Sequence, residues 1–274
     1  MSVLVELPES EYNLNAFAQF VPTGGFSIGT ALAMAWMSQL AYETRLPDKI
    51  SAIGARFGLT KIRILRRPAK TTLPLSDTRG IIADKDDALI IAFAGTDPLN
   101  LLNWVSDFYV GRPDADVHEG FQDAAAAVWP EVGAAIERCV QDQRPLFVVG
   151  HSLGAAIALA TVDRAQREKS LKSAQVFVFG APRYGRADFV AKYNAAFGAT
   201  TYRLVHGRDI VATVPPSEFG FRHVGRYLSC KSGAKFDPAQ LHATTDSDEP
   251  SSGSDFFSGI AARLRDFVGR ASLT

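Results

Sequence analysis

FVVGHSLGAAIALA occupies residues 147–160. Apolar residues run straight into Gly-His-Ser-Leu-Gly, and an alanine-rich stretch follows. A buried strand that delivers a serine between two glycines, then turns sharply into a helix, is the context in which G-x-S-x-G carries chemistry. Gly150 and Gly154 let neighbouring backbone pass close on each side. Ala155, Ala156 and Ala158 keep the helix thin enough to lie on a sheet. The helix N-terminus brings the Leu153 N–H near Ser152 Oγ, with a partial positive charge behind it. An oxyanion formed there would be stabilised. The competing reading is a serine that only caps the helix.

Working outward, the same alternation continues. Strand PLFVVG, helix SLGAAIALATVDRAQRE, strand AQVFVFG, helix GRADFVAKYNAAF and strand TTYRLVH (200–206) follow one another. That order predicts a mostly parallel central sheet with helices on both faces. Upstream, residues 28–43 have helical apolar spacing, 59–65 read as a strand, and 79–95 read as a hairpin turning at 84–87. Residues 120–143 are helical, with Pro130 expected to kink the helix or mark a start. Residues 245–254 look like a loop. Phe257, Ile260, Ala261, Leu264, Phe267 and Val268 share one face of a final amphipathic helix.

The 274 residues are 47% hydrophobic, enough for a large core, and no linker divides them. We expect one domain over 1–274. Lys+Arg and Asp+Glu are both 29, which argues against a nucleic-acid partner. The basic run KIRILRRPAK (61–70) reads as the solvated face of a strand. The two cysteines, Cys139 and Cys230, have no metal-ligand spacing and are expected as buried thiols, with one disulfide as the alternative. No metal and no cofactor is implied. The N-terminal residues lack a basic segment followed by an apolar core, and no apolar run reaches the length of a transmembrane segment. The expectation is a cytoplasmic protein by default, with signal-independent export left open.

A serine hydroxyl needs a base, normally histidine, held by an acid. In the chain order Ser…Asp…His, the acid belongs at the end of a later strand. In YRLVHGRDIVATVPP (202–216) the strand ends near His206 and Asp209 follows. Asp209 is the candidate acid, with a turn aspartate as the alternative.

Several segments together resemble the class 3, or fungal-type, lipases of the α/β-hydrolase fold. These are GTALAMAWMSQLAY, IAFAGT followed by NWVSD, VHEGFQDA, the elbow itself, VFVFGAPRYG, RDIVATVPP and FGFRHVGRYL. The resemblance covers roughly residues 25–230, and several motifs in order are more specific than any one. It implies a serine ester hydrolase acting on acylglycerol, phospholipid or short-chain esters at a lipid interface. It implies an oxyanion hole from Thr96 and Leu153. Residues 97–107, with Leu99, Leu101, Leu102 and Trp104, would form an amphipathic lid; a helix packed on the core is the alternative. His118 and His151 match positions that are not the base. Residue 94 is Ala where the family often has Arg.

The family also places its histidine some fifty residues after the acid, in an Asp-His pair. Here that stretch, SGIAARLRDF, has none. Three readings stand. His242 is the base in a shortened C-terminal region, the chain ends before the true histidine, or the base is absent. The last would make the protein a hydrolase-fold binding or interaction protein without a complete triad.

Overall fold

The computed structural model describes residues 6–70, 76–96, 117–207, 209, 211–231 and 234–245, with the side chains of 117 and 118 left aside. The lid segment and the final helix expected from sequence lie outside the described residues.

An eight-stranded sheet organises the chain. Its order is β1 (Thr60–Pro68), β2 (Asp77–Lys85), β3 (Ala88–Phe93), β4 (Leu146–His151), β5 (Gln175–Phe179), β7 (Thr201–His206), β9 (Arg226–Cys230) and β10 (His242–Ala243). From β3 to β9 every neighbouring pair is parallel. Antiparallel strands β1 and β2 extend one side and β10 closes the other. The short pair β6 (Gly185–Arg186) and β8 (Phe221–Arg222) stands apart from this sheet. This is the mostly parallel α/β architecture expected from the alternation of strands and helices.

Strands β3 and β4 are buried along their whole length, as apolar runs without alternation should be. Their side chains still alternate between two cores. Phe147 and Val149 join Ile90, Ala92, Phe177 and Tyr202 beneath α1 (Ile28–Leu40) and α2 (Pro47–Phe57). Val148 joins Ile91, Phe93, Val176 and Val178 beneath α3 (Val117–Gln141) and α4 (Leu153–Lys169). Met34, Met37 and Phe57 on one side and Phe121 on the other are each almost fully buried. Each contributes about 1.5–3 kcal/mol of burial.

Local chemistry sets the helix ends. Ser27, in extended conformation, accepts the Thr30 N–H at 3.0 Å and starts α1. Pro47 opens α2, and Gly58 ends it with φ of 70°. Helix α3 runs through Pro130, so this proline marks no start. Helix α5 (Ala187–Phe197) completes the α3 and α4 side. Just after α1, buried Glu43 accepts hydrogen bonds from the Leu7 N–H at 2.8 Å and the Tyr12 hydroxyl at 2.9 Å, and pairs with Lys49. This holds the N-terminal segment against the helices.

The basic run falls on edge strand β1. Lys61 pairs with Asp84, Arg66 with Asp77 and Arg67 with Glu131. Its charge is largely met within the protein, and charged edge strands resist pairing with other chains. Cys139 is buried as expected, but Cys230 is only partly covered, because it lies at the C-terminal end of β9 near the sheet margin; both thiols are free.

Candidate active site

Strand β4 ends at His151, and Ser152 has φ of 58° and ψ of −130°. A non-glycine residue there is strained, at a cost of about 1–3 kcal/mol. The turn holds that conformation from both sides. The Ser152 N–H donates to Phe179 O at 2.9 Å, and the Ser152 carbonyl accepts the Ala155 N–H at 2.9 Å. A methyl group on Gly150 would lie 2.1 Å from Gly154 O, so only glycine allows the chain to fold back so tightly. Ser152 stands at the N-cap position of α4 yet makes no side-chain cap bond. Ser27 makes one from ordinary N-cap dihedrals. The capping reading of Ser152 therefore fails. Its Oγ is buried and has no hydrogen-bond partner among the described residues.

The end of β3 lies against this elbow. A methyl on Gly154 would meet Phe93 O at 2.5 Å and Ala94 O at 2.7 Å. One on Gly95 would lie 2.6 Å from Tyr42 Oη and 3.1 Å from Ser152 Cβ. Two glycines thus let the β3 exit pass alongside the elbow and bring Thr96, which is buried, next in chain to a residue touching Ser152. Leu153, at the first turn of α4, is fully buried on the other side of the serine. Arg79 donates to Gly95 O at 3.2 Å and holds the exit from below.

Asp209 follows β7 and is buried. Its Oδ1 accepts the Val211 N–H at 3.1 Å. Its Oδ2 lies where a Gly180 side chain would be, 2.3 Å from that position, and His151 Nε2 lies 3.8 Å from it. Gly180 follows β5 with φ of 54°, a conformation suited to glycine. Because β5 lies between β4 and β7, this glycine is what opens the space between the elbow and the acid loop.

His242 is not brought to this site. It sits in edge strand β10, exposed, with its Nδ1 2.8 Å from Gln240 O and its ring edge-on to Tyr227. It pairs with Tyr227, which pairs with Arg203, then Val178, then Gly150. Four inter-strand steps of about 4.8 Å put it roughly 19 Å along the sheet from β4, whereas a base works within about 3 Å. Polar residues around His242 read as a loop, whereas its pairing with Tyr227 carries it to the far edge.

Two other described imidazoles have their own partners. His151 Nδ1 lies 2.9 Å from the Tyr42 hydroxyl. His223 is buried with Nε2 2.9 Å from Ala212 O; burial, then Arg203 and Arg183, hold it well below its ordinary pKa. His206 is exposed near Phe236. Tyr42 and Gly180 lie within GTALAMAWMSQLAY and VFVFGAPRYG, where sequence alone assigns them no role. Their signals were a tyrosine closing an apolar helix and a glycine at a strand end.

A parallel sheet with a strained serine elbow between β4 and α4 defines an α/β-hydrolase fold. Residues 90–219 match the profile of the family Lipase (class 3). Over that stretch, just under half of its length, the chain is similar to the class 3, fungal-type lipases. It is 36% identical over 163 residues to a lipase of Rhizomucor miehei, covering 54% of this chain and 44% of that one. It is 35% identical over 147 residues to secreted mono- and diacylglycerol lipase 1 of Fusarium solani, covering 49% and 41%. The native Rhizomucor miehei lipase propeptide complex superposes with a TM-score of 0.59 at 25% identity, covering 80% of this chain and 76% of that one. A fungal lipase–inhibitor complex gives 0.58 at 25%, covering 85% and 91%. The sequence matches span less than half the length of these curated relatives.

These relatives correct the cytoplasmic expectation. Those of Fusarium solani and Penicillium cyclopium are secreted proteins by name. The N-terminal composition bears only on one kind of leader and does not locate a protein. Among the described residues no helix is long and apolar enough to cross a membrane.

Proposed function

We propose that residues 1–274 form one α/β-hydrolase domain that is a serine carboxylic-ester hydrolase of lipase type. Ser152 Oγ attacks the ester carbonyl and passes its proton to a base. The tetrahedral oxyanion is held by the Leu153 N–H at the α4 terminus and by Thr96. The alcohol leaves after protonation, and water releases the acid from the acyl-enzyme. Asp209 is the acid that orients the base. The observation carrying this reading is the strained Ser152 backbone, maintained with no capping bond to account for it. Acylglycerols are the substrate class we favour, given the names of the relatives, with binding at a lipid interface.

A second reading has its own support. No described imidazole hydrogen-bonds Ser152 Oγ, and His242 stands at the far edge of the sheet. A chain without a base at Ser152 would be a hydrolase-fold binding protein. A fluorophosphonate probe separates the two. Rapid labelling of the wild type, lost in Ser152→Ala, supports the hydrolase. Folded wild type that stays unlabelled supports the binding protein. An acyl-chain series with and without micelles then tests the lipid interface; a rate that does not rise with micelles counts against it.

A further inference from the structure

The hydroxyl of Tyr42 lies between the β3 exit at Gly95 and the end of β4 at His151. It belongs to the 3₁₀ turn Ala41–Glu43 that follows α1, and Tyr42 is buried. Burial is the main influence on its pKa and raises it, so the phenol keeps its proton; the Gly95 N–H and Arg79 oppose this. The Gly95 N–H therefore donates to Tyr42 Oη, and the Tyr42 O–H is left to donate to His151 Nδ1 at 2.9 Å. A neutral imidazole whose Nδ1 accepts carries its proton on Nε2. That nitrogen borders the same small space as Asp209 Oδ2, the space a Gly180 side chain would fill.

We propose that Tyr42 and His151 form a one-directional polar chain that positions the oxyanion turn at Gly95–Thr96 and the carboxylate of Asp209 relative to each other beneath Ser152. The chain rests on the roles assigned above to Thr96, Ser152 and Asp209. Each link has one sense: amide to phenol, phenol to Nδ1, Nε2–H toward the carboxylate. Three strand ends are tied by a side chain from outside the sheet. The pair touches no reacting atom, so both are positioning residues. Their effect falls on the geometry of the charged step and leaves substrate binding alone.

The decisive measurement is the imidazole ¹⁵N spectrum of His151 in the resting full chain, assigned by comparison with His151→Gln. The wild type should show the Nε2–H tautomer, and Tyr42→Phe should convert it to a mixture. In ester hydrolysis, Tyr42→Phe should lower kcat about tenfold, the equivalent of one buried hydrogen bond, with KM within about twofold. An Nδ1–H tautomer in the wild type overturns the proposal, as does a tautomer unchanged by Tyr42→Phe. The spectrum needs no turnover. If the wild type fails to label with the fluorophosphonate, the hydrolase reading falls, while the tautomer still decides the chain.

Discussion

Ser152 stores energy in two separable forms, and two substitutions divide them. Its backbone, at φ of 58° and ψ of −130°, carries strain of about 1–3 kcal/mol. Its buried Oγ has no partner among the described residues, which costs about 1–3 kcal/mol. Ser152→Ala removes the hydroxyl and keeps the Cβ, so it relieves only the second cost and should stabilise by about 1 kcal/mol. Ser152→Gly removes both, but glycine adds about 0.5–1 kcal/mol of unfolded-state entropy. The glycine variant should therefore exceed the alanine variant by roughly 0–2.5 kcal/mol, with about 1 kcal/mol at mid-range. At about 2–4 °C per kcal/mol, the mid-range gain is a gap in Tm of about 2–4 °C. Urea unfolding of the two variants, compared at equal m-value, measures the difference directly. A glycine variant less stable than the alanine variant would refute the claim that the elbow is strained. Such a gain in stability at the expense of reactivity is the expected behaviour of an active-site residue.

Two further outcomes follow from the same geometry. Gly180→Ala puts a methyl 2.3 Å from Asp209 Oδ2 on a backbone with φ of 54°. It should destabilise by about 1–3 kcal/mol and slow fluorophosphonate labelling about a hundredfold; an unchanged labelling rate would remove Asp209 from the site. His223 is held neutral by burial and by Arg203 and Arg183. As pH falls below about 6.5 the unfolded chain takes up a proton that the folded chain refuses, so stability is lost with a slope approaching 1.4 kcal/mol per pH unit, roughly. Urea midpoints between pH 7.5 and pH 5 should show this slope in the wild type and a smaller one in His223→Gln; equal slopes would contradict it.

The elbow was legible in sequence because its causes are local. Apolar strand, glycine, serine, glycine and small-residue helix sit within fourteen consecutive positions, and each residue's steric demand acts on its neighbours. Asp209 was legible for a related reason, since a strand end followed by an aspartate is a local pattern. The hairpin of β2 and β3 and the alternation that builds the parallel sheet are likewise written in short-range periodicity. Short-range pattern thus carried the fold class and the candidates for nucleophile and acid.

Tertiary structure decided the rest. His242 looked available from its polar neighbours, but pairing of β10 with β9 set its distance from Ser152, and pairing partners depend on the whole order of the sheet. Tyr42 and His151 are 109 residues apart in the chain, and only the packing of α1 on β4 brings the phenol to the imidazole. Gly180 acquires its importance from Asp209 twenty-nine positions later, for the same reason. Local steric rules act between neighbours in sequence, whereas the contacts that complete a site are made across strands whose order no local pattern encodes.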